Sequence, residues 1–100
     1  MTFSLSFLRY VYGKPVEVVL RFTKDVARWI KRRKWHSNQV IKERKDGSII
    51  FKIKLKGTKE IKWWTYHWAP HCEILSPPEL RKGAAGEIRK LGRVYGKKQT

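Results

Sequence analysis

Basic side chains are concentrated in one stretch of the first half of the sequence. Six basic residues lie between positions 24 and 34, against a single acid, Asp25. Four of the six are consecutive: Lys31, Arg32, Arg33 and Lys34. Such a cluster can neutralise phosphate groups without reading base sequence. Cations at a helix C-terminus also interact favourably with the helix dipole, so a solvated helix end is the alternative interpretation.

A second set of cations alternates with apolar residues. In the segment 48–56, Lys52 and Lys54 alternate with apolar positions, and Arg21 has an equivalent place in the segment 16–22. In neighbouring strands these side chains share the face that the helices leave open. The pattern predicts a charge-lined platform for a phosphate ligand or another domain, with solvated lysines that discourage strand pairing as the alternative. Because no outward position is aromatic, base stacking of the RRM type is not expected.

Aromatic residues cluster in a short helical segment after Thr58. They are Trp63, Trp64, Tyr66 and Trp68. Trp64 and Trp68 share helical spacing with Ile61, which predicts that they pack in the core. Trp63 points elsewhere and is a candidate for stacking on a base or for a protein interface. Partial cover by the last helix is the alternative for Trp63.

Three histidines and a cysteine raise the question of a metal site. They are His36, His67, His71 and Cys72. Zinc needs three or four convergent ligands, Pro70 disfavours a helical pair of His67 and His71, and no CxxC or HExxH motif occurs. The GxSxG, P-loop and GxGxxG fingerprints are also missing from the sequence. We therefore expect no metal, no cofactor and no enzymatic activity.

Alternation, helical spacing and turn residues divide the sequence into seven elements. The predicted strands are 16–22, 39–45, 48–56 and 72–76, and the predicted helices are 24–35, a segment from 58 onward, and 79–95. This order predicts an α+β domain of the ferredoxin-like βαββαβ type, with an antiparallel sheet and an extra C-terminal helix. Right-handed crossovers place the first and third strands at the centre of the sheet.

Turn and cap residues mark the boundaries of these elements. Asp46 and Gly47 predict a two-residue hairpin turn, and Thr58 is a suitable helix N-cap. Pro77 and Pro78 suit the first turn of the last helix. In that helix, helical spacing places five residues on one face: Leu80, Ala84, Ile88, Leu91 and Tyr95.

Length and charge limit the possible functions further. One hundred residues form one domain, which we expect over 15–96 with a lead-in over 1–14 and a tail over 97–100. Twenty-four basic residues against eight acids give a net charge of +16, which attracts polyanions or anionic surfaces. No apolar run can span a membrane, and one cysteine excludes an internal disulfide. Because the apolar start has no basic n-region or cleavage site, a cytoplasmic protein is expected.

Three segments together resemble a known domain family. They read VEVVLRF from Val16, WHSNQVIKERKDGSIIFKIKL from Trp35 and EIKWWTYHWAPHCEILSPPELRKG from Glu60. In this order and spacing, over residues 12–95, they resemble the C-terminal extension (WCX) of bacterial transcriptional regulators that contain a WYL domain. The aromatic second helix and the high net charge depart from the family pattern. Both departures favour direct binding of an anion.

The resemblance implies a ligand-sensing module. Regulators of this kind usually carry an N-terminal winged helix-turn-helix, a central WYL domain and this extension. Their WYL and WCX parts are associated with effector recognition, nucleic acid among the effectors, and with dimer contacts. His36 and Gln39 match family positions, so the resemblance suggests a ligand-binding or structural hydrogen-bonding role for them. The chain is then either a fragment of a longer regulator or a stand-alone relative.

The preferred interpretation is a regulatory module that binds an anionic nucleotide or oligonucleotide effector. Phosphates are expected on Arg21, Lys52 and Lys54, with residues 31–33 supplying long-range attraction. Two other functions stay open at this point. One is an independent nucleic-acid-binding module, and the other is a docking or homodimerisation domain whose charge serves solubility.

Overall fold

The computed structural model describes residues 15–96, which form four strands and three helices. The strands are β1 (Val16–Phe22), β2 (Val40–Glu43), β3 (Ile49–Leu55) and β4 (Cys72–Ser76). The helices are α1 (Lys24–Lys31), α2 (Lys59–His67) and α3 (Pro78–Gly96). The predicted order of elements is confirmed, and the predicted lead-in over 1–14 and tail over 97–100 lie outside the described residues.

The sheet has the strand order β2-β3-β1-β4, and all of its neighbouring strands are antiparallel. Strands β1 and β3 therefore lie at the centre, and the ferredoxin-like fold with an extra C-terminal helix is confirmed. In the β1–β3 register, Val19 lies opposite Lys52 and Arg21 lies opposite Ile50. Because paired residues point to the same face, Arg21 and Lys52 share the face away from the helices.

The core lies between the other face of the sheet and the three helices. Phe22 and Phe51 are fully buried at its centre, with their rings edge to face at 5.9 Å between centroids. Trp64 of α2 packs on both rings, at 5.5 Å from each centroid. Trp64 and Trp68 are half-buried against the core, so their predicted packing role is confirmed. None of the helices in residues 15–96 is both long and apolar enough to cross a membrane.

The turn between β2 and β3 is one residue longer than predicted. Arg44 donates its backbone N–H to Ser48 at 2.9 Å, and Gly47 donates its own to Arg44 at 3.1 Å. The loop therefore consists of Lys45, Asp46 and Gly47, and the predicted two-residue turn is wrong. Gly47 has a φ of 88°, because a turn of this length needs a left-handed residue after its two central positions.

Helix α1 ends at Lys31, before the predicted end at Trp35. Two side chains stabilise the irregular segment that follows. The Trp35 indole Nε1 donates to the Ile30 carbonyl at 2.9 Å, which satisfies an acceptor in the last turn of the helix. The Gln39 side-chain oxygen accepts the backbone N–H groups of Trp35, at 2.5 Å, and of His36, at 2.9 Å.

Helix α3 extends beyond the strand on which it packs. Its 19 residues span about 28 Å at 1.5 Å per residue, whereas the five residues of β4 span only about 17 Å. Leu80 and Ala84 are buried at the start of the helix. Ile88, Leu91 and Tyr95 lie further along the same apolar stripe and are exposed. The stripe is therefore a core-facing surface only at its N-terminal end.

Candidate functional site

The nine predicted binding residues lie in four places. Arg21, Lys52 and Lys54 lie on the open face of the sheet, and Lys31, Arg32 and Arg33 lie at the end of α1. His36 and Gln39 belong to the loop that joins α1 to β2. Trp63 lies on the exposed side of α2, with its side chain edge to face with Tyr66. The structure thus brings the first two groups to different surfaces.

The open face of the sheet carries fewer available cations than its sequence pattern indicates. Lys52 and Lys54 are exposed, and Lys42 of β2 lies on the same face, opposite Ile50. Arg21, however, forms an ion pair with Asp46 at 3.6 Å and lies opposite Glu73 of β4. An anion at Arg21 would compete with these carboxylates.

Asp46 remains ionised because of its local hydrogen bonds. Its Oδ1 accepts the backbone N–H of Ser48 at 2.9 Å and the Ser48 hydroxyl at 2.5 Å. These two hydrogen bonds, with a smaller contribution from Arg21, hold the pKa of the Asp46 carboxyl below its usual value. An ionised carboxylate therefore lies next to Arg21, and Lys42, Lys52 and Lys54 are the exposed cations on this face.

The end of α1 has the denser supply of cations. Lys31 forms an ion pair with Glu43 of β2 at 2.5 Å, and this hydrogen bond lowers the pKa of Glu43. Arg32 and Arg33 form no ion pair among the residues that the structure describes. Both arginines are exposed. Their guanidinium groups are consequently available to a ligand.

Tryptophans hold these guanidinium groups in place. Arg28 and Arg32 lie over the Trp29 ring, at 4.9 Å and 5.0 Å from its centroid, and Arg33 lies over the Trp35 ring at 4.8 Å. These distances are within the range of cation–π attraction. Trp29 is 44% exposed, although the next residue in the helix, Ile30, is fully buried.

A groove of about 480 Å³ lies between the end of α1 and α2, and we call it the arginine groove. Its lining residues are Val26, Trp29, Arg32, Arg33, Trp35 and Trp68. Every polar side-chain group in this lining is a hydrogen-bond donor. The Trp68 Nε1–H is buried and has no acceptor among the described residues, whereas Trp35 Nε1 is already bonded to Ile30. The arginine groove is suited to a ligand that carries acceptors or negative charge and has a flat surface.

The loop after α1 positions the groove. Besides accepting two backbone N–H groups, Gln39 donates its Nε2 to the Arg33 carbonyl at 3.2 Å. Asn38 continues the β2–β3 ladder, because its side chain exchanges two hydrogen bonds with the Lys54 backbone, at 3.0 Å and 3.1 Å. The side chain of Gln39 is therefore occupied inside the loop. These hydrogen bonds hold Gln39 against the loop backbone and position Trp35.

A second cavity of about 350 Å³ lies on the other side of Trp35, and we call it the Glu60 pocket. It is bounded by the end of β3, the start of α2 and the loop after α1. Its lining residues are Trp35, His36, Phe51, Ile53, Leu55, Gly57, Glu60, Ile61 and Trp64. His36 thus reaches a cavity that differs from the arginine groove but shares a wall with it.

The remaining candidates lie away from both cavities. Trp63 is 58% exposed, as predicted, and lines neither the arginine groove nor the Glu60 pocket. The Nδ1 of His71 lies 3.1 Å from the Thr23 hydroxyl and 3.7 Å from Asp25. Burial, assisted by Glu73, raises the pKa of the Cys72 thiol to about 12. In residues 15–96, no three His, Cys, Asp or Glu side chains are placed to hold a metal ion.

Sequence reasoning missed Trp29 and Trp35 as site residues. Trp29 follows Val26 by three positions, and this helical spacing, next to apolar Ile30, is typical of a core residue. A different signal was available, because Arg28 precedes Trp29 and Arg32 follows it by three positions. Residues three apart lie side by side on a helix, so this spacing predicts a stacked arginine and tryptophan.

Fold and surface together define a class of protein. It is a ferredoxin-like α+β domain with an extra C-terminal helix, a strongly basic surface and a groove lined by arginine and tryptophan. The model of the WCX domain family matches residues 14–92, and the chain belongs to that family. This match confirms the resemblance to the extension of WYL regulators. At the family level the chain is a regulatory C-terminal module associated with WYL regulators. No curated protein matches the chain.

Proposed function

We propose that the chain is the effector-sensing C-terminal module of a WYL-type transcriptional regulator and binds a nucleotide or oligonucleotide. The module binds its ligand without transforming it, and it acts in the cytoplasm. Its partners are the WYL and winged helix-turn-helix domains of the same regulator. The observation that carries the proposal is the arginine groove, where two arginines without carboxylate partners in the described chain lie against two tryptophans.

The composition of the arginine groove matches the chemistry of a nucleotide. Guanidinium groups donate paired hydrogen bonds to phosphate oxygens, and Arg32 and Arg33 carry these groups into the groove. Aromatic rings stack on bases whatever their sequence, and Trp29 offers an exposed ring beside Arg32. A cationic ligand would be repelled by Arg32 and Arg33, and a ligand without acceptors would leave their N–H groups unpaired.

The sheet face takes the supporting role in this proposal. Lys42, Lys52 and Lys54 are exposed, and they add to the positive field around the domain. Arg21 contributes less, because Asp46 pairs with it. The roles of the two basic surfaces are thus exchanged relative to the sequence-based interpretation. The end of α1 holds the phosphates, and the sheet supplies long-range attraction or docks the WYL domain.

Binding regulates transcription only if the ligand prefers one conformation of the whole regulator. The arginine groove is built from α1, the following loop and α2, so a ligand there connects elements that lie far apart in the sequence. A WYL domain that contacts either element would sense whether the groove is occupied. The preference of the ligand for one arrangement then shifts the DNA-binding domain.

The test compares two pairs of cations on the full chain. Arg32→Ala with Arg33→Ala changes the groove, and Lys52→Ala with Lys54→Ala is the matched control, with the same loss of charge on the sheet. The probe is a labelled single-stranded oligonucleotide titrated at several salt concentrations. Each phosphate contact contributes about 0.7 to the slope of log K against log salt, so the groove variant should reduce the slope by about 1.4. Equal effects of both variants, or no effect of the groove variant, would contradict the proposal.

One observation favours a docking or dimerisation function as a second candidate. The exposed apolar residues Ile88, Leu91 and Tyr95 lie on one face of α3, which is typical of a contact surface. In that case Ile88→Ser with Leu91→Ser would weaken binding to a WYL domain or self-association in sedimentation experiments. The oligonucleotide affinity of the same variant should stay at the value of the unchanged chain.

A further inference from the structure

The Glu60 pocket combines a mostly apolar lining with a carboxylate. Its walls are apolar, with two tryptophans, Trp35 and Trp64, whose ring centroids lie 5.2 Å apart. Its volume of about 350 Å³ falls at the lower end of the range of small-ligand sites. Glu60 is the acid in this lining, in a chain that has eight acids and a net charge of +16.

The carboxylate of Glu60 has no ion-pair partner among the described residues. Four of the other acids do have one, namely Glu43, Asp46, Glu73 and Glu87, and Asp25 lies 3.7 Å from the Nδ1 of His71, which is charged only when protonated. Glu60 lies in the first turn of α2, where an acid stabilises the helix dipole. Glu79 has the same position in α3, also without an ion pair, but it lines none of the described cavities. Glu60 differs from Glu79 in being placed beside an apolar pocket.

We propose that the Glu60 pocket binds an unpaired guanine base, with the Glu60 carboxylate accepting the guanine N1–H and N2–H. This inference rests on the proposed function, because it names the part of the nucleotide effector that the domain recognises. A carboxylate only accepts hydrogen bonds, and its two oxygens match two neighbouring donors. Guanine has such a donor pair. Adenine and cytosine place an acceptor next to their amino group, and uracil has one N–H between two carbonyls.

The walls of the pocket complement the rest of the base. Trp35 and Trp64 provide aromatic surface for a flat heterocycle. His36 also lines the pocket, and its Nδ1 accepts the backbone N–H of Asn38 at 3.4 Å. A neutral imidazole that accepts at Nδ1 carries its proton on Nε2, and this N–H would be a donor for the guanine O6. Trp35 is a wall of both cavities, so a base in the Glu60 pocket lies next to phosphates in the arginine groove.

Isothermal titration of the full chain with GMP, AMP, CMP and UMP tests this inference. GMP should bind at least tenfold more tightly than the other three nucleotides. Glu60→Gln should lower the affinity for GMP and remove its advantage over AMP, because an amide offers one acceptor and one donor, which match the amino group and neighbouring acceptor of adenine better than the donor pair of guanine. Glu79→Gln is the matched control, since it also removes an unpaired acid from a first helical turn, and it should keep the preference for GMP. Thermal unfolding of both variants shows whether they fold.

The failures of the two proposals are distinguishable. Equal affinities for the four nucleotides, no binding at millimolar concentration, or an unchanged preference in Glu60→Gln would overturn the guanine inference. Arg32→Ala with Arg33→Ala should weaken all four nucleotides by a common factor and preserve the preference. If that variant has no effect, the groove proposal fails. The affinities of guanosine and adenosine, which carry no phosphate, then test the role of Glu60 independently of the arginine groove.

Discussion

Gln39 provides the most direct test of how the loop after α1 is held. Its side chain makes three hydrogen bonds to the loop backbone: from Trp35 N–H at 2.5 Å, from His36 N–H at 2.9 Å, and to the Arg33 carbonyl at 3.2 Å. Gln39→Ala removes all three and leaves two backbone donors without their acceptor. Because the loop is partly exposed, water replaces some of the loss, and we take a net value near the lower end of 0.5–1.5 kcal/mol for each bond. The expected loss of unfolding free energy is about 2 kcal/mol.

A loss of this size is easily measured. For a domain of about 100 residues it corresponds to a decrease in Tm of roughly 8–16 °C. Gln39→Glu should lower the unfolding free energy by about half as much as Gln39→Ala, because a carboxylate still accepts the two N–H groups but cannot donate to the Arg33 carbonyl. Ser37→Ala is the control in the same loop, since Ser37 is exposed and should change stability by less than about 0.5 kcal/mol. Urea unfolding followed by tryptophan fluorescence measures all three variants.

The outcome separates two roles for Gln39. If Gln39 contacted the ligand directly, Gln39→Ala would weaken oligonucleotide binding and leave the unfolding free energy unchanged. A stability within 0.5 kcal/mol of the unchanged chain would therefore refute the positioning role. A positioning role instead predicts that Gln39→Glu retains part of both stability and affinity, because the backbone of Trp35 and His36 stays anchored.

Three further results are expected from the structure. Gly47→Ala should destabilise the domain by about 1–3 kcal/mol, because φ is 88° and the new Cβ would lie 3.0 Å from the Lys24 Cβ. Gly83→Ala is the control and should not destabilise it, because no atom lies within 4 Å of the new Cβ. Thermal unfolding of both variants measures the difference. Leu80→Ala should cost about 2–5 kcal/mol, whereas Leu91→Ala should cost less than about 0.5 kcal/mol in urea unfolding, since Leu91 is exposed. Burial raises the pKa of Cys72 to about 12, so its contribution to stability is complete below the unfolded pKa near 8.5 and declines as the pH rises toward 12. Between pH 8 and pH 10, the unfolding free energy of the unchanged chain should fall by more than that of Cys72→Ala. An equal decrease in both chains would contradict the burial of the thiol.

Local pattern was sufficient to predict most of the fold. The alternation in Val16–Phe22 sorts Val16, Val18, Leu20 and Phe22 onto one face; the last three are fully buried in the structure, and Val16, at the end of the strand, is 36% exposed. Neighbours in the chain determine such a pattern, because a strand alternates its side chains whatever it pairs with. The order of elements and the handedness of crossovers then leave few ways to arrange four strands. The central positions of β1 and β3 follow from these rules.

Local sequence pattern predicted only part of the candidate site. The basic run in residues 31–34 and the exposed Trp63 are visible in the sequence, and both are exposed as predicted. Nothing in the pattern showed that Asp46 would pair with Arg21, since the two residues lie 25 positions apart. The same applies to Trp35, which the loop turns back onto α2 so that it forms a wall of two cavities.

The amino-acid sequence by itself determined the strands, the helices, the basic net charge and the family to which the chain belongs. Periodicity and composition are properties of adjacent residues, and they persist in any arrangement of the chain. Tertiary structure alone decided which cations are neutralised, which side chain anchors the loop and where the cavities lie. Ion pairs, hydrogen bonds between loops and empty spaces depend on distances between remote residues, and only the folded chain sets those distances.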